Sequence, residues 1–449
     1  MKPKAIALVL ISCGALAGIL GGVDGAWAQT PQPPVVRLAL ADAIERGLQA
    51  SHRLVELGAR EEAARAIEDQ RKAATLPQIA LLAGYTRTNH VQAFGVPNPT
   101  GALRVIYPDI PDNYRSRVDF QWPIYTAGRS TALVKAAAAE ANAVAQDRDA
   151  ARADLKLEIT RAYWSVITAR ASVDVVGQAL SRIAAHLTDV KNQLSVGLIP
   201  PSDVLSVEAQ QARQQMLSIE AENVLDTASA DFRRLVGLPT DTPFELGDVM
   251  QSPPAPPREV AALVDAARSN RAERRALEVR IGAATERVSA AAAGRKPMLM
   301  SAAGYDVARP NPRIFPRQAA WKPSWDLGVN VNWPVFDGGR VRAEVAEASA
   351  NRRASEERLK DFDTTVAVEV QQRVSDLVSA EASIAAAEVG VKSAAEARRV
   401  LEERFSAGVA TNTDVLDAQV VLLQAELDRT RALANAQLAA ARLDRALGR

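Results

Sequence analysis

The side chains able to do chemistry are few and poorly placed for catalysis. The three histidines, His52, His90 and His186, are scattered through 449 residues with no partner at metal-ligand spacing. Each reads as a solvated or hydrogen-bonded side chain rather than a ligand. The sequence offers no glycine loop with a lysine to cradle phosphate and no nucleophile elbow, and Gly338-Gly339-Arg340 is too short to bind a nucleotide. What remains is electrostatic. Asp414 and Asp417 stand three residues apart, which puts both carboxylates on one face of a helix. An acid in a first helical turn also suits the helix dipole, so a purely structural role stands beside any functional one.

Composition narrows the classes further. With 54 basic and 53 acidic side chains the formal charge is +1, which lacks the basic excess of a nucleic-acid binder. The 48% apolar content is too high for a disordered chain. Only 4% of residues are aromatic, and runs such as Ala136 to Ala139 favour closely packed helices.

The first residues form an address. Lys2 and Lys4 precede an apolar stretch from Ala5 to Val23, and Ala26-Trp27-Ala28 reads as a cleavage site, so residues 1–28 are expected to be a secretory signal. A membrane anchor and a lipoprotein box ending at Cys13 are the alternatives. Cys13 is the only cysteine, so cleavage after Ala28 leaves no thiol and no disulfide. After Val23 no unbroken apolar run reaches transmembrane length, and any membrane insertion must use strands.

The rest of the chain repeats itself. Trp122-Pro123-Ile124-Tyr125-Thr126-Ala127-Gly128-Arg129 is echoed by Trp333-Pro334-Val335-Phe336-Asp337-Gly338-Gly339-Arg340, 211 positions later. The same offset pairs Ser195-Val196-Gly197-Leu198 with Ser406-Ala407-Gly408-Val409, Asp203-Val204-Leu205 with Asp414-Val415-Leu416, and Gly237 with Gly448. Residues 35–250 and 258–449 therefore read as two structural repeats, joined by a stiff proline-rich linker at 251–257.

Within each repeat, period 2 alternates with period 3.6. Ile79, Leu81, Ala83 and Tyr85 alternate with polar or small residues, as do Val118, Phe120 and Trp122, and as do Trp325, Leu327, Val329, Val331 and Trp333; a weaker strand surrounds Leu299 to Val307. The segments holding Pro97, Pro99, Pro108 and Pro111, and Pro310, Pro312 and Pro316, read as loops closing two hairpins. After each Trp-Pro the pattern turns helical. Val173, Val176, Leu180, Ile183, Leu187, Val190 and Leu194 form a heptad seam, and its repeat equivalents run from Ile384 to Phe405 with Arg398 interrupting. A helix from Arg129 to Ser195 would be about 100 Å long. Gly197 and Gly408 should end these helices in left-handed caps, with Ser202 and Thr413 able to cap the returning helices.

Four strands with one apolar and one polar face fit a segment of transmembrane barrel wall, lipid outside and water inside. Four strands cannot close, and lipid cannot satisfy open edges, so several chains must share one barrel. Two chains would give a filled interior and three would leave a passage. Trp122, Tyr125, Trp325, Trp333 and Phe336, at strand ends, are expected to form an interfacial aromatic belt. The alternative is a periplasmic coiled-coil scaffold or adaptor-like protein without a barrel, in which those aromatics are core.

This plan, with its signal, duplicated strand–helix order, Trp-Pro-to-Gly-Arg signature and tip sequences Val196-Gly197-Leu198 and Arg404 to Val409, resembles the TolC-like outer-membrane efflux proteins over residues 35 to 449. The resemblance implies a mainly helical fold with a β-barrel part: a homotrimer whose 12 strands form one outer-membrane barrel and whose helical hairpins form a periplasmic α-barrel tunnel. It implies a passive duct with no enzymatic activity, cofactor, metal or nucleic acid. Its expected partners are outer-membrane lipid, a periplasmic adaptor protein and an inner-membrane pump of RND, ABC or MFS type.

Carried over by position, Val196, Gly197, Leu198, Ala407, Gly408 and Val409 would be the adaptor-docking tips. Asp414 and Asp417 would match the acidic ring at the periplasmic aperture, and Asp203 an aspartate that helps latch the tunnel shut. The latch pattern departs here, because its usual tyrosine is Phe405 and the nearby tip arginine is Ala410. The gate is therefore expected to be held differently.

Overall fold

The computed structural model describes residues 35–254 and 259–449. The expected secretory signal at 1–28, with Cys13, and part of the expected linker lie in residues 1–34 and 255–258, outside the described residues.

The first half of the chain opens with β1 (Val36–Leu38), α1 (Leu40–Ala50) and α2 (His52–Ala73). It continues through the strands β2 (Gln78–Arg87), β3 (Phe94–Pro97), β4 (Leu103–Tyr107) and β5 (Asp112–Tyr125), then the long helix α3 (Arg129–Ser195) and the returning α4 (Pro201–Val236), and ends in β6 (Phe244–Leu246). The second half runs through α5 (Val260–Asn270), α6 (Ala272–Ala292), β7 (Met298–Arg309), β8 (Lys322–Asn332), α7 (Arg340–Ser406) and α8 (Asn412–Ala446). α3 and α7 each have 67 residues and start 211 positions apart, as the echo in the sequence requires.

The duplicated signature is a strand-to-helix elbow. Ala127 and Gly128 both have positive φ, 54° and 85°, and so do Gly338 and Gly339, at 65° and 92°. Two successive left-handed residues turn the chain from strand into helix, a conformation for which glycine has no steric penalty. Asp337 then secures the second helix by accepting from the Gly339 and Val341 N–H groups at 2.9 Å.

The heptad seam is buried or half-buried along its length, including Arg398, whose charge is met by Glu402 at 3.5 Å. α3 packs along α6, and buried alanines lie on both helices, among them Ala136, Ala143, Ala276 and Ala283. Small side chains let the helices approach closely, and ion pairs such as Arg287 with Glu140 tie their rims at 3.1 Å. This is where the alanine-rich, aromatic-poor composition is used.

The two main cores are built from residues 211 positions apart. Leu155, Ile159, Tyr163, Val166, Phe232, Leu235 and Val236 form one around β1 and β6, which pair in parallel. Val366, Val370, Val374, Leu377, Leu443, Ala446 and Leu447 form the other at the same offset. The aromatic residues of the first are aliphatic in the second.

Two sequence expectations change. The segment between β2 and β5 is not a plain loop: β3 and β4 make a small antiparallel hairpin within it, and Pro97 ends β3 on an edge where its missing N–H costs nothing. Ser202 and Thr413 do not cap the returning helices. The N-cap of α4 is Pro200, with Pro201 at the first helical position, where its fixed φ is already helical. That of α8 is Thr411, whose hydroxyl reaches the N–H of Asp414.

Candidate functional site

At the far end of the long helices two turns lie side by side. Leu198 N–H bonds the Gln193 carbonyl and Gly197 N–H that of Leu194, at 3.0 and 2.9 Å; Val409 to Arg404 and Gly408 to Phe405 repeat the pattern at 2.9 Å each. This is the Schellman arrangement, and it needs a left-handed residue, which Gly197 and Gly408 supply at φ +76° and +73°. Val196, Leu198 and Val409 are exposed, as are Ala407 and both glycines, leaving two small apolar knobs in solvent.

Asp414 lies in the first turn of α8, where its carboxylate accepts from the Thr411 hydroxyl at 2.6 Å and the Thr411 N–H at 2.8 Å. Those two bonds hold its carboxyl below the ordinary aspartate range. Asp417 is exposed one turn on. Asp203, in the first turn of α4, is half-buried and joins the rest of the tip through its backbone carbonyl, which accepts from Asn412 Nδ2 at 3.2 Å. Phe405 is turned inward, packed with Ile183, Leu187, Val190, Val204, Val207 and Val415. The structure thus brings Asp203 and Phe405 to one cluster and leaves Asp417 apart from it.

At the opposite end, the sheet order is β2-β5-β7-β8, every neighbouring pair antiparallel. Its registers sort the residues into two faces. Ile79, Phe120, Ala303 and Leu327 form one row, and Leu81, Val118, Tyr305 and Trp325 the next; Leu81, Trp325 and Leu327 are each at least 70% exposed. On the other face, Arg117 donates to Asp326 at 2.9 and 3.0 Å and to Asp119 at 2.6 Å, Arg115 pairs with Asp306 at 2.5 Å, and Arg313 reaches Asp326 at 2.9 Å. Among the described residues no helix is long and apolar enough to cross a membrane. Among the described residues the apolar face of the sheet is a surface suited to lipid.

The predicted aromatics divide between the two ends of the strands. Trp122 and Tyr125 on β5, Trp333 just beyond β8 and Phe336 in the elbow lie at the helix side, with Trp333 Nε1 donating to the Arg295 carbonyl at 3.2 Å. Trp325 lies at the loop side, beside Tyr305. Trp325 and Trp333 are separated along the chain by about 26 Å at about 3.3 Å per residue, close to the apolar band of a barrel wall.

A family model described as "Outer membrane efflux protein" matches residues 43–238 and 263–449, most of both repeats. The chain belongs to that family. It is an outer-membrane exit channel of the efflux and secretion class. The protein CyaE of Bordetella pertussis is 28% identical over 419 residues, covering 90% of this chain and 84% of the relative. The outer membrane protein TolC of Vibrio cholerae is 23% identical, covering 91% and 90%. The crystal structure of the outer membrane protein VceC from Vibrio cholerae superposes with a TM-score of 0.75 at 22% identity, covering 91% of this chain and 96% of that one.

Several residues of this channel were not legible as functional from sequence. Tyr85, Tyr114 and Trp321 cluster at the loop side, where Trp325 also lies, with tilted rings whose centroids are 5.0 and 5.8 Å apart. The charged network of the polar face joins residues up to 209 positions apart. His186, scattered in the sequence, is buried, and its Nε2 lies 2.8 Å from Asn412 Oδ1. His90 is exposed and its Nδ1 lies 2.7 Å from Asp109.

Proposed function

We propose that this channel is one wall segment of a passive, homotrimeric duct that carries solutes out through a shared barrel and a helical tunnel. The observation that carries the reading is the matched pair of open edges. β2 and β8 are the free edges of the sheet and run in opposite directions, so β8 of one copy pairs antiparallel with β2 of the next. The helices have the same handed order: near the tips α4 packs on α3, α3 on α8 and α8 on α7, leaving α4 and α7 outermost. Both outermost helices expose apolar stripes, Leu205, Met216 and Ile219 on α4, and Val378, Val389 and Val400 on α7. A head-to-tail contact that uses two different edges closes into a ring when the rotation allows. Three copies supply 12 strands and a passage wide enough for the charged side chains of the polar face, whereas two leave a filled interior.

On this reading the two repeats, 35–250 and 258–449, supply equivalent wall elements around the linker 251–257. Trp122, Tyr125, Trp333 and Phe336 anchor the periplasmic interface, and Trp325 the outer one. Val196, Gly197, Leu198, Ala407, Gly408 and Val409 meet a periplasmic adaptor protein, which couples the duct to an inner-membrane pump. Asp203, Asp414, Asp417 and Phe405 surround the aperture. The duct performs no chemistry on its cargo; work is done by the pump. The exposed apolar face of the sheet argues against a water-soluble scaffold.

The test is the protein mass of the detergent-purified particle, corrected for bound detergent, with conductance in planar bilayers. A detergent-dependent trimer that forms discrete channels is expected; a monomer soluble without detergent would falsify the shared barrel.

A further inference from the structure

We infer that His186, Asn412 and Phe405 form a clamp that fastens the second helical hairpin to the first at the tip, and that the aperture opens only when this clamp releases. The inference rests on the duct reading above and adds the residues that hold its gate.

The clamp ties all four tip helices. His186 on α3 and Asn412 on α8 are both buried, and Asn412 bridges His186 to the Asp203 carbonyl on α4. Phe405 on α7 stands edge-on to the imidazole, centroids 5.4 Å apart with the rings at 64°. The proton order in this chain is settled by its last acceptor. A backbone carbonyl only accepts, so Asn412 presents Nδ2 to Asp203 and Oδ1 to the histidine, and His186 Nε2 must be the donor. His186 Nε2 and both ends of the Asn412 amide therefore have partners, and removing one side chain leaves the other's buried group unpaired.

The surroundings make this fastening more than one contact among many. A cleft of about 600 Å³ lies between α3 and α7 beside it, lined by Arg182, Asp189, Arg398, Glu402, His186 and Phe405. At the end of that cleft Phe405 of α7 reaches across to α3, edge-on to His186 and packed with Ile183, Leu187 and Val190. The clamp also occurs once per chain. At the repeat offset of 211, His186 corresponds to Ala397, Asn412 to Pro201 and Phe405 to Leu194, none of which can make the same bonds. A fastening present on one side only resists one relative motion, the parting of the hairpin formed by α7 and α8 from the hairpin formed by α3 and α4. The structure thus offers a substitute for a latch that Phe405, without a hydroxyl, cannot make.

The experiment is single-channel recording of the detergent-purified full chain in planar bilayers, comparing His186→Leu, Asn412→Leu, the double variant and His186→Gln. The glutamine amide keeps a donor for Asn412 Oδ1, and leucine keeps only the bulk. Expected are a several-fold rise in resting conductance for each leucine variant, no further rise in the double variant, and conductance for His186→Gln close to wild type. Leucine variants that fold, by their helical circular dichroism, and conduct like wild type would overturn the clamp; so would a glutamine variant as leaky as leucine. If His186→Leu does not fold, Asn412→Ala breaks the same bond from the first turn of α8, and wild-type conductance in that variant overturns the clamp equally. Absence of any channel from the wild-type chain would instead defeat the duct reading, and the gating role with it.

Discussion

The guanidinium of Arg117 lies directly over Gly304. A Cβ built on that glycine would sit 2.0 Å from Arg117 Nη2 and 2.4 Å from Cζ. The missing side chain is what lets an arginine on β5 cross β7 to reach Asp326 on β8. Gly304→Ala should therefore swing the flexible Arg117 side chain aside rather than distort the strands. Asp119 and Asp326 would lose their shared cation, and the passage would become more negative. The expected result is a reversal potential shifted toward cation selectivity with little change in thermal stability, while Asp326→Asn should shift it toward anions. Equal selectivity in both variants and the wild type would place this face away from the passage.

Tyr163 predicts an alkaline signature. Its hydroxyl is buried and donates to Asp248 at 2.7 Å, and burial first, then the neighbouring carboxylate, pushes its ionisation well above the ordinary tyrosine range. In the unfolded chain it ionises near pH ~10. The contribution is therefore complete below that pH and is lost as pH rises toward the folded value, because only the unfolded state releases the proton. Urea titrations should show wild-type stability falling above pH ~10 more steeply than Tyr163→Phe. At neutral pH the variant should lose about 1–3 kcal/mol, since the hydroxyl both donates to the Asp248 carboxylate and accepts from the Asp248 N–H at 3.2 Å, although that carboxylate keeps the Leu40 N–H.

Much of this architecture was legible because repetition amplifies weak signals. Arg129 and Arg340 open helices of equal length because the same elbow precedes each, and Gly197 and Gly408 close them with the same backbone bonds. Strand alternation placed Ile79, Leu81, Leu327 and Val329 on one face without any knowledge of pairing. Features confined to one repeat were harder to read. The β3–β4 hairpin has only short strands and no counterpart between β7 and β8. Thr411 and Thr413 both fit a capping residue, and the choice between them depends on where the helical φ and ψ begin. His186 and Asn412 are separated by 226 positions, and nothing local joins a histidine in a heptad seam to an asparagine at a helix start.

The cap at Thr411 gives a local test at the tip. Thr411→Ala removes the acceptor for the Asp414 N–H and a donor to its carboxylate, and should cost the first turn of α8 about 1 kcal/mol. Acid should mimic it. The Thr411 hydroxyl, then its N–H, depress the Asp414 carboxyl, so the contribution is present above the unfolded value near ~3.9 and fades as pH falls through the lower folded one. Hydrogen exchange of the α8 amides near residue 414 should quicken in Thr411→Ala at neutral pH and stay as slow as before at the end of the same helix, near Ala446. Uniform acceleration along α8 would mean that the box stabilises the whole hairpin.

The helical edges give the sharpest test of assembly, because they separate folding from association. Met216 and Ile219 are exposed on the outer side of α4, where among the described residues no other helix covers them. Met216 lies 11 positions beyond Leu205, and 11 residues make close to three whole turns, so the stripe runs almost straight along the helix. On α7 the valines at 378, 389 and 400 keep the same spacing, so the two stripes can lie side by side over several turns. Burying one such side chain contributes about 1.5–3 kcal/mol, and a ring of three uses each contact three times. Ile219→Asp should leave the helical content and melting of the isolated chain within about 0.5 kcal/mol of wild type, as for other exposed positions. The same change should drive the detergent particle from trimer toward monomer at micromolar concentration. Val389→Asp, on the opposite edge, should do the same. A variant that stays trimeric would show that α4 faces the passage or the periplasm and that the ring closes through the strands alone.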